Sequence, residues 1–379
     1  MLPAMFVPRP ASYPVLWLLL VVAVAAGSRY WQYRSRLLRG TASATTQPTL
    51  AVPRAERMRG VNWVAADSLS AQDMEPLVQA HVTWIAQTPF GWQPDAAKPE
   101  IRVRTASNGR GFWGEGDQGL LRTAQWARQR GIRTLLKPHL WLRTGGTWPG
   151  DVRMTSSADW QAWFVSYSAF MLHYAALAEQ GHMEALCIGT ELEHASTEHE
   201  TEWRELIRQI RAVYHGPLTY AANWSGEFEK IRFWDALDFI GVQAYFPLST
   251  TNHPDKQALL KAWAEPRRRL EAVQRRYHKP IVFTEVGYKT TPDAAIEPWK
   301  WPDRTALPAT PDEATQAACY AAMFETFWPR PWLQGVFVWK WYPGLQADGS
   351  ARRILTSPPS TSQQSVLWRS GLANNSPLN

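Results

Sequence analysis

At 379 residues the chain exceeds a single small core, yet it fits one barrel of alternating strands and helices, which takes roughly 250 to 400 residues. Its 45% hydrophobic and 19% charged content exclude a disordered chain. The net charge of +7 lies in the first sixty residues, which hold eight Arg against one Glu, and the rest balances at 32 basic and 32 acidic residues. A nucleic-acid enzyme carries its basic surface on the folded domain, so no nucleic-acid partner is expected.

Residues 1–28 contain an uncharged apolar run from Val15 to Ala26. It has the length of a signal-peptide core and, counted from Ala11 to Ser28, approaches the roughly 20 residues of a membrane anchor. Four Arg follow it within residues 29–39 and only Arg9 precedes it, so the charge rule and export point in opposite directions. The expectation is a signal anchor or signal peptide placing the protein in the cell envelope, then a basic linker rich in Pro, Thr and Ala over 29–57. A domain over 58–370 and a flexible tail over 371–379 complete the division.

From Met58 the chain alternates. Arg59 to Val64 reads as a first strand, Ala71 to Ala80 as a helix and Val82 to Gln87 as a second strand. A Gly-rich loop at 109–119 leads to a helix over Gln118 to Arg130, closed by Gly131 as a left-handed cap. Ile132 to Pro138 is strand three, with His139 and Trp141 at its exit. Asp159 to Glu179 carries an aromatic stripe at helical spacing (Trp160, Trp163, Phe164, Tyr167, Phe170, Tyr174), which reads as core. Ala185 to Glu191 is strand four, followed by a helix from Glu202 to Tyr214. Strand five is Pro217 to Trp224 and strand six Asp238 to Tyr245. A long helix runs from Asp255 to Tyr277, strand seven from Lys279 to Glu285, a helix from Pro311 to Phe327, and strand eight from Leu333 to Trp339. A closing helix is expected near 360–368. Eight strands with helical crossovers predict a parallel (β/α)8 barrel, monomeric in the simplest reading. Cys187 and Cys319 fall inside a strand and a helix and read as buried small hydrophobes.

Barrel enzymes keep their chemistry where strands end. The strand exits put Asn62 and Trp63, Gln87 with Trp92 nearby, His139 and Trp141, Glu191, Asn223 and Trp224, Gln243 and Tyr245, Glu285, and Trp339 on one rim. Two of these exits share a design, a short apolar run ending in a carboxylate: Glu191 and Glu285. Such a pair across a barrel mouth suits hydrolysis of a bond between sugars. Glu193 is the rival for the Glu191 role. Lys137 reads as the partner of a barrel carboxylate, and the 22 Trp supply candidate stacking faces at Trp92, Trp113, Trp141, Trp148, Trp224 and Trp341. No metal-ligand spacing is present, and no cofactor is expected.

Ile188-Gly189-Thr190-Glu191-Leu192, Phe283-Thr284-Glu285-Val286-Gly287-Tyr288, Arg59-Gly60-Val61-Asn62, Lys137-Pro138-His139 and Gly335 to Lys340 resemble the retaining glycosidases of the four-seven barrel superfamily, clan A. Within it the chain is most similar to the β-mannanases of glycoside hydrolase family 113, over about Met58 to Trp368. That resemblance implies Glu285 as nucleophile and Glu191 as acid/base. It also implies Tyr245 as the residue orienting Glu285, and Trp339 as the floor beneath the reacting sugar. It departs at Thr190, where the superfamily has an Asn that binds the sugar 2-hydroxyl. The expected substrate is a mannan-like β-linked polysaccharide; the alternatives are a β-glucan or exopolysaccharide, or a catalytically silent carbohydrate-binding barrel.

Overall fold

The computed structural model describes residues 56–103, 112–144, 148–300 and 310–343. The apolar run, the linker up to residue 55, the closing helix expected near 360–368 and the tail lie outside the described residues. Among the described residues no helix is long and apolar enough to cross a membrane.

In chain order the strands are β1 (Met58–Trp63), β2 (Trp84–Gln87), β3 (Phe90–Gln93), β4 (Arg102–Val103), β5 (Arg133–Leu136), β6 (His139–Leu142), β7 (Ala185–Thr190), β8 (Leu218–Asn223), β9 (Ile240–Gln243), β10 (Ile281–Val286) and β11 (Leu333–Trp341). The helices are α1 (Glu75–Gln79), α2 (Asp117–Gln129), α3 (Ser157–Gln180), α4 (Glu193–Glu198), α5 (Glu200–Val213), α6 (Glu227–Lys230), α7 (Lys256–Ala262), α8 (Ala264–Tyr277) and α9 (Glu313–Phe327). Eight strands close in the order β1-β11-β10-β9-β8-β7-β5-β2. Each neighbouring pair is parallel, and β1 against β11 (Gly60 opposite Phe337) seals the ring. The expected (β/α)8 barrel is the observed one, with β7 as its fourth strand and β10 as its seventh.

Two cores follow from the alternation of side chains along these strands. Met58, Trp84, Ala86, Leu135, Ala185, Cys187, Ala221, Phe239, Val282 and Phe337 fill the barrel interior. A larger layer between strands and helices takes Val61, Leu186, Ile188, Tyr220, Phe283 and the α3 stripe from Trp163 to Tyr174. That stripe is core, as its spacing predicts. Cys187 and Cys319 are buried free thiols, pushed up by burial to about 11 and about 12, and so are inert packing groups.

Three departures from the predicted elements have local causes. The second and third barrel strands each resume after a proline: β2 stops before Thr88-Pro89 and continues as β3, while β5 stops before Lys137-Pro138 and continues as β6. Proline cannot donate to a ladder. The Lys137 N–H to Gln87 carbonyl bond (2.8 Å) and the His139 N–H to Pro89 carbonyl bond (2.8 Å) carry the pairing across the gap. The result is a small sheet, β4-β3-β6. The long helix expected over 255–277 is two, broken at Trp263, because Pro266 is accommodated only in the first turn of a new helix. Gly131 adopts φ +72°, the left-handed cap predicted after α2.

Candidate active site

Both carboxylate-bearing strands slip register where the carboxylate emerges. On β10 the outer layer takes Ile281 and Phe283, so strict alternation would send Glu285 outward as well. The register instead shifts between Phe283 and Glu285. Val286 then joins the outer layer, and Glu285 turns to the mouth, only 5% exposed. On β7 the shift falls between Cys187 and Thr190. Ile188 packs in the outer layer, and a Cβ on Gly189 would come within 2.6 Å of the outer-layer ring of Tyr220, so two successive residues face outward. Bulges re-aim side chains in this way. Glu191 follows directly with φ +52°, a backbone conformation that a non-glycine residue adopts at a cost of roughly 1–3 kcal/mol.

The two carboxyl groups have different partners. Lys137 Nζ, wholly buried, lies 2.5 Å from Glu285 Oε1, and the Tyr245 hydroxyl donates to Glu285 Oε2 at 2.8 Å. His139 Nε2 stands 3.7 Å from Oε1. Burial and the charges of Lys137 and Lys340 hold the His139 imidazole well below its usual range, so it is neutral. Among the described residues no cation is in contact with Glu191. It accepts from Trp148 Nε1–H at 2.9 Å and from Asn223 Nδ2–H at 2.7 Å. Burial first, and then the charge of Glu285, push its carboxyl up to about 7. The Glu193 rival is drawn away into an ion pair with Lys230 at 2.8 Å.

Around the pair, Asn62 faces inward and donates to the Thr284 carbonyl at 3.2 Å, while its Oδ1 is buried without a hydrogen-bond partner among the described residues. The same is true of His139 Nε2 and Thr190 Oγ1. Buried polar atoms left unpaired are costly, which suits a site completed by a ligand rich in hydroxyls. Trp339, on the same face of β11 as interior Phe337, stacks against His139 (6.2 Å between centroids, 12° between planes). From there a line of rings leads out along the small sheet: His139 to Phe90 at 5.4 Å, Phe90 to Trp141 at 5.9 Å and Trp141 to Trp92 at 6.2 Å. Trp141 is 53% exposed. Trp224 pairs with exposed Trp299 at 4.9 Å.

The expected substrate contact through Trp63 is corrected. Asn62 points into the barrel, so its neighbour points out, and Trp63 is 2% exposed in the outer core. Trp341 is likewise buried in that core, and Trp113 leans on Trp126 of α2. The residues missing from the sequence shortlist are Phe90, Trp299 and Glu227. Phe90 could have been found by its two-residue spacing from Trp92. Glu227 carries no such signal, since a Glu opening a short Glu-Phe-Glu-Lys helix reads as a surface charge. Among the described residues no group of three or more His, Cys, Asp or Glu is placed to hold a metal ion.

A closed parallel barrel with carboxylates at the ends of its fourth and seventh strands, under a tryptophan at the end of its eighth, is the frame of a clan A glycoside hydrolase. The sequence pattern of Glycoside Hydrolase Family 113 matches residues 59–353, and the chain belongs to that family. It is similar in structure to a GH113 β-1,4-mannanase determined as a complex (25% identity, TM-score 0.70, covering 83% of this chain and 99% of that one). It is also similar to the GH113 β-mannanase AaManA from Alicyclobacillus acidocaldarius in complex with ManMIm (27% identity, TM-score 0.70, 84% and 98%). A β-glucuronidase from Ruminococcus gnavus, at 14% identity and TM-score 0.55 over 82% of this chain and 49% of its own, shares the fold alone. A search among curated proteins gives no match.

Proposed function

We propose that this glycoside hydrolase is a retaining β-mannanase that cleaves within a β-linked, mannose-containing chain by double displacement. The observation that carries the reading is the contrast between the two carboxyl groups. Glu191, raised to about 7 and held by neutral donors, keeps a proton at neutral pH. Glu285 faces an ammonium and a phenol that donate to its two oxygens. A proton donor and a nucleophile need that division.

In the first step Glu191 gives its proton to the glycosidic oxygen as that bond breaks, and Glu285 forms a bond to the anomeric carbon. In the second, Glu191 takes a proton from water, and the water oxygen displaces Glu285 from the same carbon with net retention. Trp339 supports the apolar face of the reacting sugar, and Asn62, His139 and Thr190 offer their unpaired atoms to its hydroxyls. The ring line from Trp339 to Trp92 favours a polymer over a simple glycoside, because it prolongs an apolar floor beyond a single sugar. Thr190 reaches less far than the asparagine usual at its position, which weakens the 2-hydroxyl contact and bears on which sugar is preferred.

The test is a panel of purified β-linked glycans (mannan, glucomannan, β-glucan) assayed for reducing ends beside affinity electrophoresis. Release from the mannose-containing chains is expected. Retardation without release from any glycan would favour a binding barrel, and release from β-glucan alone would move the substrate.

A further inference from the structure

We propose that Glu227 is a positioning residue that fixes Glu191 from both sides; the proposal rests on Glu191 acting as the proton donor. Glu227 is wholly buried at the start of α6 and faces no open mouth. Its Oε1 accepts from the Ser196 hydroxyl at 2.6 Å and the Tyr220 hydroxyl at 2.5 Å, and its Oε2 accepts from the Asn223 N–H at 2.6 Å. Each partner leads to Glu191. The Asn223 amide donates to Glu191 Oε1, so Glu227 anchors the backbone from which that donor projects. Tyr220 accepts the N–H of Leu192, the residue immediately after Glu191, at 2.7 Å. Ser196 belongs to α4, the helix into which the chain turns beyond Leu192.

One carboxyl group therefore ties together three segments that meet at the acid: the end of β8, the turn after β7 and the helix that follows. The turn is where Glu191 holds φ +52°, a conformation that persists only when its surroundings determine it. Gly226, at φ +124°, reverses the chain so that Glu227 can reach back to the Asn223 N–H four residues earlier. Burial makes this an expensive choice and pushes the Glu227 carboxyl up to about 8. An apolar residue would pack the same space at lower cost but could not hold three donors.

A residue that acts by aiming the proton donor has a signature that a merely structural one lacks: its loss matters only when the leaving group needs a proton. Glu227→Leu is expected to lower kcat/KM on an unactivated mannooligosaccharide by about 10- to 100-fold, part of the roughly 10²–10⁴ that a positioned general acid supplies. On a 2,4-dinitrophenyl β-mannobioside, whose phenolate leaves unprotonated, kcat/KM is expected to stay within about threefold. Glu227→Gln keeps an acceptor for Asn223 and polar contacts for Tyr220 and Ser196, and should restore most of the loss. Equal losses on both substrates, no loss on either, or a Gln variant as impaired as the Leu variant would overturn the proposal. If Glu227→Leu does not fold, Tyr220→Phe removes one of the three bonds and the Leu192 acceptor, and must show the same split. Glu191→Ala, measured alongside, separates the two readings. Without the split in that variant the acid assignment itself fails; with it there and not in the Glu227 and Tyr220 variants, only the present proposal does.

Discussion

Glu285 is buried and Glu191 half-buried, and among the described residues only Glu285 receives a cation in contact. As the proposed proton donor Glu191 must carry a proton, and its carboxyl is pushed up to about 7, so kcat/KM on an unactivated oligosaccharide is expected to fall as pH rises through about 7. A rate profile flat from pH 6 to 9 would show that the proton comes from elsewhere. Lys137 gives the complementary test. Replacing it by Met strands a buried carboxylate, which costs about 3–5 kcal/mol when a buried pair is broken. Denaturant unfolding should register that loss, together with a fall in kcat of at least about 100-fold, and unchanged kcat would deny Lys137 any part in holding Glu285. At this scale the carboxylate pair was legible because each ends an apolar run, and Lys137 because a charge inside a strand needs a partner. Glu227 was not legible, since only the fold shows that three donors converge on it.

The elements were legible as periodicities, and their irregularities were not. Eight apolar runs bounded by turns announce eight strands, and the α3 aromatic stripe announces a buried helix. The bulges that turn Glu285 and Thr190 inward depend on cross-strand register, which one strand's pattern does not contain; the outward-facing Trp63 is a different case, since two successive residues of one strand cannot both face the barrel interior. Prolines at 89 and 138 mark the ends of the second and third strands plainly, but not the β3 and β6 extensions that carry the rings. The interior also has a fixed clearance. A Cβ on Gly241 of β9 would lie 2.3 Å from the Tyr220 backbone carbonyl, which cannot move without opening the β8–β9 ladder. Gly241→Ala should therefore destabilise the barrel by about 1–3 kcal/mol, read as a lowered unfolding midpoint, and a wild-type midpoint would mean that the ladder yields more freely than its geometry indicates.

Over the whole molecule, charge and aromatic content divide by region. The positive excess belongs to the first sixty residues, and the remainder is formally neutral, in keeping with the uncharged glycan proposed as the partner. The tryptophans fall into two groups: Trp163, Trp203, Trp234 and Trp263 are sealed in the core, whereas Trp92, Trp141 and Trp339 belong to the line of rings proposed as the floor of the glycan site. Everything proposed about the chemistry turns on Glu285 as the group that bonds to sugar. The direct measurement is hydrolysis by Glu285→Ala with and without azide, following product configuration by NMR on an activated β-mannoside. Loss of hydrolysis, partial recovery with azide, and an α-mannosyl azide product are expected, because the small anion enters the space the carboxylate left and reacts in one displacement. Full activity without azide, or a recovered product of β configuration, would contradict that role of Glu285.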